Sequence, residues 1–240
     1  MTESAPQDHL PDLRDYKFLR LLSAEQASEV LNYSKIISLK ARQTLFREGD
    51  SGSALYVLTS GYVKLTRMGP DGTEIVLELA GPRSIFGEIA AIGGARRAAD
   101  AVAISACKLL AIDARQFMAV LRQNEAALLE IFQLLTDRLR NTTSRMEDLL
   151  FLPLTARLAR ALIRLAALNS RPTRDGLLID VTLSQRELGE LTGLAWESIN
   201  KQLATWRDEG VIAMTGKSMI LKNIGSLNAI AQLDGINQAN

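Results

Sequence analysis

The segment IFGEIAAIGGARRAAD, residues 85–100, sets one acid, Glu88, and one arginine, Arg97, in a stretch otherwise poor in side-chain bulk. Gly87, Ala90, Ala91, Gly93, Gly94, Ala95, Ala98 and Ala99 leave the backbone open to close approach. A fixed guanidinium beside bare backbone N–H groups is equipped to hold an anion. An ionised glutamate only accepts hydrogen bonds, so Glu88 suits a hydroxyl and not an anion. The competing reading is a Glu88–Arg97 ion pair that closes a β-turn and has no further role.

A second set lies in LSQRELGELTGLAWESINKQLATWRDEGVIAMTGKSMIL, residues 183–221. Ser184 with Glu187 forms a capping box that opens a short helix with Leu188 and Leu191 inward, and Gly193 supplies the turn. A second helix follows with Ile199, Leu203 and Trp206 on its apolar side, and VIAMTGKSMILK reads as a hairpin with TGKS at its tip. Together these spell a winged helix-turn-helix, whose second helix fits the major groove of double-stranded DNA. The candidate DNA-contacting residues are Ser184, Gln185, Trp196, Glu197, Ser198, Asn200, Lys201 and, at the wing tip, Lys217. Glu197 is suited to accept from cytosine N4, and Lys201 to donate to guanine or phosphate. A helical hairpin that binds protein or nothing is the alternative.

The elements that must position these groups follow from patterning. Residues 14–32 place Phe18, Leu21, Leu22, Ala27, Val30 and Leu31 as one face of a short helix. From 35 to 112, short Val/Ile/Leu/Tyr runs broken by GDSGS, Gly61, GPDG and GPRS predict an all-β body. After the N-cap Asp113 the chain reads as helical to about residue 150. Leu128, Phe132, Leu135, Leu139, Thr142, Met146 and Leu149 alternate four- and three-residue spacings, a heptad seam that predicts a parallel homodimer. Packing of the stripe on its own domain is the alternative, and Thr142 is a polar interruption that calls for a reason. FLPLTARLARALIRLAAL predicts another helix, NSRPTRDG a surface loop, LLIDVTL a strand and IAQLDGINQAN a loosely held tail. Cys107 reads as a buried small hydrophobe, and Met68, Met118 and Met146 as core fillers.

A chain of 240 residues with 47% apolar content supports well-buried cores, and a net charge of +1 says nothing about nucleic acid. One cysteine and one histidine, His9, disfavour an internal disulfide, a one-chain zinc site and an iron–sulfur cluster. No nucleophile–base pair is visible, so no enzyme activity and no cofactor are expected. The start lacks a leader-like basic and apolar pattern, and no window suits a membrane span, which together predict a cytoplasmic protein.

The order of β body, long helix and winged helix-turn-helix, over about residues 15–222, resembles the Crp/Fnr superfamily of bacterial transcription regulators, closest in pattern to its cAMP-receptor branch. Phe86, Gly87, Glu88, Ile89 and Ala90, followed by Arg97, Ala98 and Ala99, are similar to that superfamily's phosphate-binding cassette. The resemblance implies an α+β fold. Residues 1–112 would hold an N-terminal helix and a cyclic-nucleotide-binding, jelly-roll-like β-roll, 113–150 the connecting and dimerisation helices, and 151–240 the winged helix-turn-helix.

It further implies a homodimer that binds cAMP and a palindromic operator, with the ligand repositioning the DNA-binding domains and RNA polymerase as a partner. In the implied site Arg97 and the Gly/Ala backbone hold the phosphate and Glu88 the ribose hydroxyl. Arg138 supports Glu88, Leu65, Val76 and Leu77 line the apolar side, and Thr142 and Thr143 serve the adenine. The alternative within the superfamily is a vestigial pocket or another effector, such as cGMP, with DNA binding independent of cAMP. Two positions depart from the pattern: Ala98 replaces a hydroxyl residue, and Trp196 the arginine that usually leads the recognition helix. Ala195 is also a poor N-cap.

Overall fold

The computed structural model describes residues 16, 19–181, 183–216 and 218–232. His9, Phe18 and Lys217 lie outside the described residues. Among the described residues, the helix expected over 14–32 is a 3-10 turn, Leu19–Leu21, followed by α1, Ala24–Asn32. Ser23 and Gln26 start α1 with a reciprocal capping box.

Eight strands follow: β1 Ser34–Leu39, β2 Thr44–Phe46, β3 Ala54–Ser60, β4 Val63–Met68, β5 Glu74–Ala80, β6 Ile85–Phe86, β7 Asp100–Ala103 and β8 Cys107–Asp113, with a short helix α2, Glu88–Gly93, after β6. They form two antiparallel sheets, ordered β1-β8-β3-β6 and β2-β7-β4-β5. Between the sheets, Leu39, Tyr56, Leu58, Phe86, Cys107 and Leu109 meet Val63, Leu65, Ala80, Ala99, Ala101 and Ala103. The alanines make room for the rings of Tyr56 and Phe86, which stack with centroids 5.5 Å apart. Because strand residues alternate faces, Leu55 and Val57 point the other way and bury against helices through Val30, Phe117, Leu121 and Ile131. Cys107 is buried as expected, its thiol donating to the Tyr62 carbonyl, whereas Met68 is 61% exposed and Met146 58% exposed, so neither fills a core.

The helical stretch after Asp113 is two helices, α3 Ala114–Leu121 and α4 Glu125–Phe151. Asn124 makes the break: its Oδ1 accepts from Ala127 N at 3.0 Å while its Nδ2 donates to Leu21 O at 2.8 Å. Along α4 the seam residues Phe132, at 59%, Leu139, at 69%, Met146 and Leu149 stay exposed in the single chain, whereas Leu128 and Leu135 pack on the core of their own domain. Thr142 donates its hydroxyl to the Arg138 carbonyl one turn back, at 2.9 Å.

Past Pro153 come α5 Leu154–Leu168, β9 Ser170–Thr173, β10 Gly176–Ile179, α6 Gln185–Thr192, α7 Trp196–Asp208, β11 Ile212–Thr215, β12 Ser218–Leu221 and α8 Ile224–Gln232. The surface loop NSRPTRDG is therefore largely a hairpin, and Pro172 is tolerated in β9 because that strand is the sheet's edge, in the order β11-β12-β10-β9. The strand expected over LLIDVTL ends at Ile179, and the expected tail begins inside α8, which buries Leu227 and Ala231. Asp148, buried near the end of α4, accepts from both Arg160 and Arg164 of α5.

The β-roll touches the helix-turn-helix directly. Tyr62 and Leu79 share a core with Leu162, Leu188 and Trp206, and Lys64 of β4 lies buried between Glu74 of β5, at 3.0 Å, and Glu190 of α6, at 2.8 Å. Burial opposes a charge on Lys64, but Glu190 and Glu74 more than offset it and hold the ammonium above the ordinary lysine range. Replacing Lys64 with Met leaves two carboxylates facing each other without their shared cation. We expect a loss of about 3 kcal/mol in urea unfolding, moderated by Arg186, which still reaches Glu190. Since the folded pKa is raised, the ammonium's contribution is complete at neutral pH and disappears only as pH rises through that folded value.

Candidate functional site

Gly87 adopts a positive φ of 79° between β6 and α2, which turns the chain so that Glu88, the first residue of α2, points inward at 1% exposure. The Glu88 carboxylate is held by Arg138 of α4 through Oε1. Arg138 also donates to Glu78 Oε1 of β5 at 3.0 Å and to the Ile85 carbonyl at 2.7 Å. Burial works against the Arg138 charge, but Glu78 and Glu88 prevail and raise its pKa above the usual guanidinium value. Glu78 itself is pushed up, by burial first and by the charge of Glu88, with Arg138 and Arg145 pulling the other way.

Arg97 is 4% exposed and makes no ion pair with Glu88, so the β-turn salt bridge is not formed. Its Nη1 donates to the Gly87 carbonyl and its Nη2 to the Ala54 carbonyl, both at 2.8 Å. The guanidinium lies 4.3 Å from the Phe46 ring centroid and 5.3 Å from that of Tyr56, within cation–π range. Desolvation lowers its pKa, though an arginine remains protonated at any physiological pH. Two glycines make room for this side chain. A Cβ at Gly87 would stand 2.7 Å from Arg97 Nη1, and one at Gly52, in the GDSGS turn, 3.1 Å from Arg97 Cζ and 2.5 Å from Ala90 Cβ.

Two buried polar atoms in this frame have no hydrogen-bond partner, Glu88 Oε2 and Arg97 Nε. One is an anionic acceptor and the other a cationic donor. An unpaired buried polar atom is costly, so the pair asks for a ligand carrying a hydroxyl donor and an anionic acceptor.

Around this centre Ala90 and Ala99 are buried, Ile89, Ala98 and Leu77 are exposed at its margin, and Leu65 and Val76 are buried. Thr142 and Thr143 sit exposed on α4, Thr142 one turn beyond Arg138. The next turn carries Arg145, whose Nη1 donates to the Leu77 carbonyl. Phe46, Tyr56, Glu78 and Arg145 were not anticipated from sequence. Glu78 had one signal, a charged residue inside the apolar run VLELA.

At the other end of the chain, Ser184 caps α6 and its own hydroxyl is engaged by Glu187 Oε2 at 2.7 Å. Gln185 is exposed beside it, and Gly193 ends α6 with a φ of 65°. On α7, Ile199 and Trp206 are buried, which turns Trp196, Glu197 and Lys201 outward, Trp196 at 57% exposure. Ser198 and Asn200 are half-buried, so they flank that face. Ala195 gives α7 no side-chain cap.

Residues 36–124 match the cyclic nucleotide-binding domain family, and residues 156–230 the Crp-like helix-turn-helix domain family. The CRP-like cAMP-activated global transcriptional regulator of Mycobacterium tuberculosis is 31% identical over 180 residues, 75% of this chain and 80% of that protein. The cyclic AMP receptor protein of Thermus thermophilus is 30% identical over 210 residues, 88% of this chain and 94% of that one. Among solved structures, a CRP-family transcriptional regulator from Thermus thermophilus superposes with a TM-score of 0.68 at 28% identity, covering 81% of this chain and 96% of its own. FixK2 from Bradyrhizobium japonicum reaches a TM-score of 0.75 at 17% identity, covering 82% and 96%, a likeness of fold.

The two glycine contacts define a stability test. Gly87→Ala combines a strained φ with a clash against Arg97 and Tyr56, and we expect it to lower stability by about 1–3 kcal/mol, read as a lower midpoint in thermal unfolding.

Proposed function

Because the chain belongs to the Crp/Fnr superfamily of DNA-binding transcription regulators, with a cyclic nucleotide-binding domain and a Crp-like helix-turn-helix, we propose that it is a cAMP-responsive homodimer. The observation that carries this reading is the pair of opposite orphaned atoms, Glu88 Oε2 and Arg97 Nε, in one bare backbone frame. A cyclic nucleotide brings both complements: its ribose hydroxyl donates to Glu88, and its singly charged phosphodiester accepts from Arg97 Nε and from backbone N–H groups. The cAMP-activated relatives at 30 and 31% identity support the choice of adenine nucleotide.

The chain's own residues supply the coupling. Glu88 is tied by Arg138 to α4, and α4 carries the exposed seam of Phe132, Leu139, Met146 and Leu149, which a second α4 would cover. Ligand at Glu88 and at Thr142 and Thr143 then biases helix packing across the dimer, and through it the spacing of two α7 helices on a palindrome. The exposed turn of the β9–β10 hairpin, residues 171–175, is the surface offered to RNA polymerase, and the protein works in the cytoplasm without catalysing a reaction. Among the described residues no helix is long and apolar enough to cross a membrane.

Calorimetric titration with cAMP and with cGMP tests the reading. We expect cAMP to bind and Arg97→Ala to weaken it about a hundredfold, since a charged hydrogen-bonding partner is lost. Heat from neither nucleotide, with no displacement of a fluorescent analogue and DNA binding intact, would select the alternative of a vestigial pocket or another effector. For the dimer, Leu139→Glu places a charge in the seam, and sedimentation should show a monomer at concentrations where the unaltered protein is a dimer.

A further inference from the structure

We propose that Glu78 determines which nucleobase the pocket accepts, by selecting a base edge that offers an amino group; this rests on the reading that the pocket binds a cyclic nucleotide. Glu78 lies on β5, the edge strand of its sheet, with its side chain 29% exposed. Among the described residues Arg138 alone hydrogen-bonds to it, through Oε1 at 3.0 Å. Oε2 is left open to accept.

The same guanidinium holds Glu88, so Glu78 belongs to the pocket and is set apart from the ribose-facing carboxylate by one arginine. Arg138, Thr142 and Arg145 follow one another at spacings of four and three, one stripe of α4, and both arginines of that stripe reach β5, at Glu78 and at the Leu77 carbonyl. The Thr142 hydroxyl donates its hydrogen bond to the Arg138 carbonyl, so its oxygen presents lone pairs to other donors. Two acceptors, Glu78 Oε2 and Thr142 Oγ1, thus border the space beside α4. A base edge with an exocyclic amine satisfies them, whereas an edge with a carbonyl at that place sets acceptor against acceptor. Burial raises the Glu78 pKa while Arg138 and Arg145 pull against it, and in its ionised form the carboxylate accepts hydrogen bonds and does not donate.

Hydrogen-bond selection of this kind predicts a particular cycle. The probes are cAMP and cyclic inosine monophosphate, whose purines differ by the 6-amine replaced with a carbonyl and by the hydrogen that N1 then carries. The full-length protein should prefer cAMP by at least about tenfold in Kd. Glu78→Gln offers an amide able to accept or donate, so the preference should fall to about twofold or less, chiefly because cyclic inosine monophosphate binds better. Glu78→Ala, a second variant, should likewise erase the preference while retaining a thermal transition. If Glu78 only steadied Arg138, each substitution would weaken both nucleotides by the same factor and leave the ratio unchanged, which would overturn the proposal alone. Failure of the unaltered protein to bind either nucleotide would overturn it together with the reading beneath it.

Discussion

The guanidinium of Arg138 joins three things that would otherwise be separate: the buried carboxylate of Glu88, the carboxylate of Glu78 on β5 and the carbonyl of Ile85. A carboxylate at 1% exposure is tolerable only with a fixed cation beside it, because desolvating an unpaired charge costs several kcal/mol. The pocket therefore cannot exist in this form without α4 lying where it does. The dependence runs both ways: any shift of α4 against the β-roll must stretch or break the contacts that orient Glu88.

Arg97 illustrates a different way of holding a charge. Its neighbours are two aromatic faces and two carbonyls, none of which neutralises it, so the guanidinium keeps its positive field directed into the frame. The small residues that make the segment look empty in sequence are the condition for this. Ala99, Ala101 and Ala103 leave volume for Tyr56 and Phe86, and Gly52 and Gly87 leave volume for the arginine. Among the described residues no carboxylate lies within ion-pair distance of this guanidinium, which leaves its charge available to the anion of the proposed ligand.

Features encoded by neighbouring residues were readable from sequence: the Ser184–Glu187 box, the Gly193 turn and the β body. Each depends on contacts within a turn or two, or on simple periodicity. What escaped depends on residues far apart in the chain. The break before α4 needs Leu21 as the partner of Asn124, the strand β9 needs β10 to pair with, and α8 needs the side of α5 to cover it. In the site, Glu88, Arg97 and the cassette glycines were identifiable from their spacing. Glu78, Phe46 and Tyr56 were not, since only folding places them around the two arginines. Met68 and Met146 are exposed where core positions were expected, because an apolar side-chain type alone does not fix burial.

The junction at Leu152 and Pro153, between α4 and α5, would be a free swivel if the backbone alone made it. Asp148 prevents this, because its two oxygens grip Arg160 and Arg164, one turn apart on α5, and so fix α5 in both direction and roll. Two anchor points on a rod define its torsion as well as its axis. The pair of arginines thus keys the two helices together across the junction, so that α5 cannot roll against the end of α4 without parting one of the two ion pairs.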